Sequence, residues 1–239
     1  MKPSAVCTYI LVSVMAVTGS RGLVAGTPVL IEEMLGALGG RDAISELHSL
    51  AVEADCTGPD GGFRTRIESL LPGSTYFEQA SNEGTTRIWS TAARTWYRDN
   101  EGSIRELGSE VRSFVRSHEF HLLLFQVDSR FTNHRAAESG VDGSECQVIL
   151  MDQAETGEPA SICISPADKL PLYMELNPPG AAGPVRTSFR DWRLVDGLYY
   201  FFAFTLTEGD ERTFTYEYNQ IEPNGVDDGR FVVPESRDR

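Results

Sequence analysis

Two histidines and a glutamate come close together in the segment His118-Glu119-Phe120-His121. Metalloproteases place two zinc-ligating histidines four residues apart on one helix, with a catalytic glutamate between them. Here the histidines are three residues apart, and no third ligand stands near them in the sequence. The segment therefore favours a structural interpretation, in which His118 or His121 lies at the interface of an amphipathic helix, and we predict no metal site.

Other patterns typical of catalysis are also missing from the sequence. No G-x-S-x-G nucleophile elbow occurs. Gly36, Gly39, Gly40 and Arg41 have neither the lysine nor the spacing of a phosphate-binding loop, so we interpret these glycines as the end of a helix. We therefore predict a protein that is not an enzyme, with no catalytic residue and no cofactor. A hydrolase of unknown type is kept as a third alternative.

The charge of the chain limits the partners that it could attract. The formal net charge is −14, from 35 acidic and 21 basic residues. An acidic chain gains no electrostatic attraction to nucleic acid or to anionic lipid surfaces, since both carry the same sign of charge. We therefore exclude nucleic acid as a partner and interpret the charge as a source of solubility.

The first residues have the pattern of a secretory signal peptide. Lys2 supplies a positive start, the segment 5–17 is apolar, and small residues at Ala25-Gly26 offer a cleavage site. The apolar segment is too short to span a membrane comfortably. We predict that residues 1–26 are removed on export and that residues 27–239 form a single domain.

Cysteines indicate one disulfide in the exported chain. Cys56, Cys146 and Cys163 follow the signal segment, so one pair and one free thiol are expected in an oxidising compartment. Cys146 and Cys163 lie on the two arms of a predicted hairpin and face each other if its turn centres between residues 154 and 155. A turn centred on residue 156 would offset them by three residues, which only a bulge could restore. We predict the Cys146–Cys163 disulfide.

The rest of the chain alternates strand-like segments with turn residues and has one clear helical interruption. Apolar residues at helical spacing predict helices over residues 28–38 and 109–127. Strands are predicted over residues 49–56, 63–71, 75–80, 85–89, 94–99, 104–107, 131–136, 146–152, 160–165, 170–176, 187–195, 198–207 and 212–221. The turn at Asp196-Gly197 is a strong hairpin signal. We expect two antiparallel meanders, one on each side of the helix 109–127.

The last two predicted strands carry aromatic residues at alternate positions. On the strand 198–207 one face would hold Tyr200, Phe202, Phe204 and Leu206. On the strand 212–221 one face would hold Phe214, Tyr216 and Tyr218. Rings of this size need a large apolar layer against the inner face of the sheet. That layer is either core alone or core together with a ligand.

Three short motifs accompany this order of elements. They are Ala37-Leu38-Gly39-Gly40-Arg41-Asp42-Ala43, Phe189-x-Asp191-Trp192-Arg193-x-Val195-Asp196-Gly197-Leu198 and Asn224-Gly225-Val226-Asp227-Asp228-x-x-Phe231-x-x-Pro234. In these motifs and in the order of its elements, the chain resembles over residues 30–234 the LolA/LolB-like superfamily of exported lipoprotein carriers, in its outer-membrane lipoprotein-sorting branch. The resemblance implies an open, strongly curved antiparallel half-barrel. Its concave apolar face would be covered by helices and would hold acyl chains or other lipids.

A half-barrel that does not close leaves inner surface for a ligand. The helix 109–127 is then expected to be a lid, with Phe114, Leu122 and Phe125 facing the sheet together. The predicted ligand-binding residues are Trp89, Trp96, Phe114, Leu122, Phe125, Trp192, Phe202 and Phe204.

The sequence thus predicts an α+β fold with a strongly curved antiparallel sheet and covering helices. The expected function is non-catalytic binding of a lipid or lipidated protein by an exported protein, with the periplasm as its compartment and transient contact with a membrane. An alternative is a protein-interaction or sensor module of the cell envelope, in which the same core is filled and an envelope protein is the partner.

Overall fold

The computed structural model describes residues 27–99, 101–137, 146–178, 183–209 and 212–232. The predicted signal segment 1–26 and the C-terminal Val233 lie outside these residues. The helices are α1 Thr27–Ala37, α2 Arg41–Ser45, α3 Ser109–Ser117, α4 Phe120–Phe125 and α5 Val127–Arg130, with a short 3-10 helix at Asp228–Phe231. The strands are β1 Ser49–Gly58, β2 Gly61–Leu70, β3 Ser74–Ser81, β4 Gly84–Ser90, β5 Thr95–Arg98, β6 Ile104–Leu107, β7 Phe131–Ala137, β8 Gln147–Gln153, β9 Pro159–Ile164, β10 Pro171–Leu176, β11 Val185–Val195, β12 Leu198–Glu208 and β13 Arg212–Pro223.

All the described strands belong to one antiparallel sheet. Their order is β6-β5-β4-β3-β2-β1-β13-β12-β11-β10-β9-β8-β7, so each meander runs between the centre of the sheet and one edge. The two meanders meet where β1 pairs with β13. The edge strands β6 and β7 do not pair with each other, and the curved sheet is therefore open. The predicted α+β half-barrel is confirmed.

Local turn chemistry accounts for the central hairpin. Asp196 and Gly197 have φ of 47° and 85° and join β11 to β12, as the Asp-Gly signal predicts. Gly39 sits where α1 ends against this hairpin, with a φ of 128°. A Cβ atom at residue 39 would collide with the carbonyl oxygen of Gly197, so the close approach of the two segments requires glycine. The amide of Tyr199 also donates to the carbonyl of Leu38 at 2.9 Å.

The helical segment that joins β6 to β7 must pass from one edge of the sheet to the other, so it crosses the concave face. The predicted single helix 109–127 is wrong, because the segment is divided into α3, α4 and α5. The first break falls at His118 and Glu119, where Glu119 has a ψ of 54° and leaves the helical region. At this break Glu119 turns its carboxylate toward the sheet instead of toward solvent.

The main core lies between the helices and the concave face. Among its fully buried residues are Met34, Leu38, Leu122, Leu124, Ile149, Ile162, Tyr200, Phe201 and Phe204. A second cluster lies on the convex face, where Tyr76, Trp89 and Trp96 pack together. Phe231 packs against this second cluster, whereas Val232 is 71% exposed.

The alternation of side chains fails in the middle of β12. Tyr200 and Phe201 are both fully buried, and the next inward residue is Phe204. The pairing of β11 with β12 skips Phe202 and its opposite residue Asp191, which has a φ of 57°. The prediction that Phe202 shares a face with Tyr200 and Phe204 is wrong, because the backbone at Asp191 departs from extended geometry and the strands bend there.

Cys146 and Cys163 are joined by a disulfide with a Cα–Cα distance of 5.7 Å. The register differs from the facing arrangement considered above, because Cys163 pairs with Val148 instead of Cys146. Cys146 precedes β8 and reaches its partner diagonally, within the Cα distance that a disulfide spans. Cys56 is a free thiol in the core. In the part of the chain that the structure describes, no helix has both the length and the apolar character needed to cross a bilayer.

Candidate functional site

A cleft of about 510 Å³ opens between helix α3 and one end of the sheet. Its walls come from α3, the start of α4, the end of β10, the start of β11 and the β12–β13 hairpin. The apolar lining consists of Phe114, Phe120, Leu176, Pro178, Val185 and Leu206. Clefts of this volume with mostly apolar walls are typical of small-molecule binding sites.

Phe114 is the exposed apolar residue of this cleft. It is 40% exposed, although its ring contacts the ring of Phe77 edge-on at 6.4 Å and that of His118 at 4.4 Å. The Nδ1 of His118 donates to the Phe114 carbonyl at 2.8 Å, and burial lowers the pKa of His118. His118 is therefore a neutral aromatic wall residue at pH 7, and the two rings present an apolar surface to the cleft.

A second cleft of about 370 Å³ lies on the other side of Phe114. Phe114, His118, Leu206, Glu208 and Arg212 line both clefts, so α3 divides a continuous opening at this end of the sheet. The guanidinium of Arg212 lies 3.5 Å from the Glu208 carboxylate. A charged pair thus borders both clefts, and the second cleft is further lined by polar residues, among them Asp60, Gln79 and Glu83.

Three of the predicted ligand-binding residues belong to the packed core instead of the cleft. Leu122 and Phe125 on α4 are 1% and 5% exposed, and Phe204 is fully buried. The Phe204 ring stacks on Tyr216 with centroids 4.3 Å apart, and Phe125 contacts Tyr200 edge-on at 5.2 Å. The predicted common stripe of Phe114, Leu122 and Phe125 does not form, because α3 ends at Ser117 and α4 begins at Phe120, so the helical spacing does not continue across the break.

Trp89 and Trp96 lie on the opposite face of the sheet from the helices. Their neighbours along the strands, Ile88 and Tyr97, pack into the main core, so the alternation of the strands turns both tryptophans to the convex face. There the two indoles stack in parallel with centroids 6.4 Å apart. Their placement on the concave face was wrong.

Trp192 and Phe202 do not line the cleft that Phe114 borders. Trp192 is half-buried and contacts Phe201 edge-on at 5.4 Å. Phe202 is half-buried beneath the guanidinium of Arg193, which lies 4.3 Å from the centre of its ring. Of the predicted ligand-binding residues, the structure therefore brings only Phe114 to the cleft.

A buried ion pair beneath the helices was missed by the sequence analysis. The Arg130 guanidinium donates to the Glu119 carboxylate at 2.6 Å, and both side chains are at most 9% exposed. Ser69 of β2 and Thr75 of β3 each donate to the same carboxylate at 2.6 Å. The available signal was a glutamate placed next to the apolar run of residues 120–125, where a charge needs partners.

His121 has a structural role, as the sequence analysis favoured. Its Nε2 donates to the carbonyl of Phe201 at 3.0 Å, and its ring stacks on the Phe201 ring at 3.9 Å. Burial lowers the pKa of His121 to about 3 despite this hydrogen bond. His118 thus bonds within α3, to the carbonyl of Phe114, whereas His121 bonds to the carbonyl of Phe201 on β12. Within the described ranges, three His, Cys, Asp or Glu side chains nowhere assemble into a possible metal site.

Comparisons with known proteins show which solved structures share this fold. No protein-family model matches the sequence, and no curated protein matches it. A LolA superfamily protein from Nitrosomonas europaea matches the structure with a TM-score of 0.62 and 9% identity, over 87% of this chain and 97% of the other. A putative outer membrane lipoprotein-sorting protein domain from Vibrio parahaemolyticus matches with a TM-score of 0.55 and 13% identity, over 84% and 97%. A DUF1329 family protein from Desulfovibrio piger matches with a TM-score of 0.58 and 12% identity, over 86% and 96%.

These similarities show that the chain has a LolA/LolB-like fold, as the sequence motifs suggested. At such low identity they concern the fold alone, and the chemistry must be argued from the side chains of this chain.

Proposed function

We propose that this protein is an exported, non-catalytic binding protein that holds an acyl chain of a lipid or lipidated protein in the cleft of about 510 Å³ beside α3, which we therefore call the acyl cleft. The single observation that supports this function is the position of Phe114. A phenylalanine that is 40% exposed borders an apolar cleft of about 510 Å³ in an open sheet. A ligand that covers this apolar surface removes it from water, and this burial favours binding.

The chemistry of the walls supports an acyl chain as the occupant. Each methylene moved from water into an apolar environment contributes about 0.8 kcal/mol to the binding free energy. The affinity for an acyl chain therefore increases with the number of methylenes that the cleft covers. Leu176, Val185 and Leu206 offer a wall without charge, and no catalytic group is needed to hold such a ligand.

Export to the periplasm is part of the proposal. The signal-like pattern of residues 1–26 and the disulfide between Cys146 and Cys163 both support an oxidising compartment outside the cytoplasm. A carrier between membranes would contact each membrane transiently while it loads or releases its ligand.

A fluorescent fatty-acyl probe tests the proposal. Wild-type protein should bind the probe, and Phe114→Ala should weaken binding, because it removes the exposed wall of the cleft. Tyr199→Ala is the matched control: Tyr199 is an aromatic residue with 37% exposure that lines none of the described clefts. The control should bind like wild type. Absence of probe binding by wild type, or equal weakening in both variants, would contradict the proposal.

A second candidate function is the interaction or sensor module with a filled core. The observation that favours it is the dense packing of Leu122, Phe125 and Phe204, which are at most 5% exposed between α4 and the sheet. In that case, lipid extraction and native mass spectrometry of the purified protein would find no lipid. A stable envelope protein would be captured instead.

A further inference from the structure

A polar pocket of about 330 Å³ adjoins the acyl cleft between α3, α5 and the β8–β9 turn. Two arginines and three serines supply most of its polar groups: Arg116, Arg130, Ser113, Ser117 and Ser129. We call it the arginine pocket. Guanidinium and hydroxyl groups together donate hydrogen bonds to oxyanions, and a guanidinium offers the fork geometry that carboxylate and phosphate accept in pairs.

The two arginines differ in their partners. Arg130 donates to Glu119 at 2.6 Å and to Gln126 at 3.0 Å, so its charge is matched inside the protein. The Nε of Arg116 is buried and has no hydrogen-bond partner, and its guanidinium forms no ion pair with any described carboxylate. Burial and the nearby positive charge of Arg130 lower the pKa of Arg116. Arg116 as a whole is half-buried, so water solvates its charge only in part, and an incoming anion would supply the missing partner.

The surroundings do not supply this anion. Glu155 also lines the arginine pocket and favours the charged form of Arg116, yet it does not come within ion-pair distance. The net charge of −14 opposes an anionic ligand only weakly here, since charges beyond about 10 Å are largely screened at physiological salt.

The arginine pocket and the acyl cleft are neighbours. Ser117 and Leu176 line both, so a molecule could occupy both sites at once. We propose that the ligand is an anionic amphiphile, with its chain in the acyl cleft and its carboxylate or phosphate head group on Arg116. This proposal rests on the proposed function, because it assigns the head group of the same ligand.

The test compares two probes that differ only in charge. A fluorescent fatty acid and its neutral methyl ester are titrated into the full-length protein. Wild type should prefer the acid by roughly tenfold or more, as expected for charge-assisted hydrogen bonds. Arg116→Gln should abolish this preference and leave the affinity for the ester unchanged. Arg116→Lys, which keeps the charge and disturbs folding less, should lose most of the preference because the fork is gone.

Arg112→Gln is the matched control. Arg112 lies one turn earlier on α3, carries the same charge and likewise has a buried Nε without a hydrogen-bond partner, but it does not line the arginine pocket. It should keep the preference for the acid within about twofold, since it changes only long-range attraction. Equal losses in the Arg112 and Arg116 variants, or no preference in wild type, would overturn the head-group assignment.

The two proposals fail in different ways. If the ester binds and the acid is not preferred, the result supports binding in the acyl cleft and contradicts the head-group site. If neither probe binds, both proposals fail. Inorganic phosphate, added as a competitor, identifies the source of the anion. If phosphate displaces the acid but not the ester from wild type, and displaces neither probe from Arg116→Gln, the pocket accepts a free oxyanion. Failure of phosphate to compete, with the acid preference intact, shows that the head group binds only with its chain.

Discussion

The carboxylate of Glu119 meets the guanidinium of Arg130 at 2.6 Å beneath the helices, with both side chains almost completely buried. Two hydroxyls, from Ser69 and Thr75, complete the hydrogen bonding of the carboxylate at 2.6 Å each. The pair therefore connects the break between α3 and α4 with α5 and with strands β2 and β3. These contacts determine where the helical segment rests on the concave face, and so they position the wall of the acyl cleft.

Breaking this pair should destabilise the protein strongly. Glu119→Gln leaves the Arg130 charge buried without a counter-charge, and such changes typically cost about 3–5 kcal/mol. The free energy of unfolding, measured by urea denaturation, should fall by this order. Asp55→Asn is the matched control, because Asp55 and Arg64 form an exposed pair on β1 and β2. It should leave the unfolding curve nearly unchanged, since exposed pairs are screened by water. Equal effects of the two replacements would contradict the structural role of Glu119.

Phe125→Ala and Phe114→Ala should differ in their effect on stability. Phe125 is 5% exposed and packs edge-on against Tyr200, so its truncation should cost about 3–5 kcal/mol through lost burial and a cavity. Phe114 is 40% exposed, so less apolar surface returns to water when it is truncated. Chemical denaturation of both variants measures the difference. Equal destabilisation would show that Phe114 is ordinary core.

Stability should fall as the pH is lowered below about 6.5. His121 has a folded-state pKa of about 3 against 6.5 for an unperturbed histidine, because burial disfavours its charged form. Between these values the unfolded state binds the additional proton, so the free energy of unfolding rises with pH, by at most about 1.4 kcal/mol per pH unit for one group. Urea denaturation at pH 5 and pH 7.5 measures the change.

The matched variant for this pH effect is His121→Gln, which cannot take up the proton. Its difference in stability between pH 5 and pH 7.5 should be smaller than that of wild type. An unchanged difference would show that other groups carry the pH dependence.

Cys56 should be inert in the folded protein. It is 4% exposed, and burial raises the pKa of its thiol to about 12, so almost no thiolate forms at neutral pH. Iodoacetamide should leave Cys56 unmodified under native conditions and alkylate it after unfolding in denaturant. Cys146 and Cys163 should react only after reduction, because they form the disulfide. Peptide mass mapping distinguishes these cases, and alkylation of Cys146 without reductant would rule out the bridge.

Cleavage of the signal segment is predicted next to Thr27. The small residues Ala25 and Gly26 suit a signal peptidase. N-terminal sequencing of the exported protein should therefore begin near Thr27. A retained Met1 would contradict the prediction and remove one support for a periplasmic location.

Much of the fold follows from local patterns. The predicted and observed strands agree within a few residues throughout, because alternating apolar residues and turn residues act over short distances. The turn at Asp196-Gly197 forms as predicted, since both residues tolerate positive φ. The family motifs extended this local pattern to an open half-barrel, which the structure confirms.

Which side chains reach the cleft depends on contacts between residues that are far apart in the chain. Apolar spacing predicted one helix over residues 109–127, whereas Glu119 ends α3 by bonding to Ser69 and Thr75, which are 50 and 44 residues away. The polar partners of a side chain cannot be read from its neighbours in the sequence. For this reason Phe114 reaches the cleft while Leu122 and Phe125 remain in the core.

The sequence by itself determined which residues share a face of a regular strand, since that property has a period of two. The irregular pairing at Asp191 and Phe202 breaks this period in β12. Only the tertiary structure decided which face is concave. Trp89 and Trp96 were correctly placed together, yet they lie on the convex face, because the helices cover the face that carries Ile88 and Tyr97. That choice depends on how the helical segment crosses from β6 to β7, and hence on packing over the whole sheet.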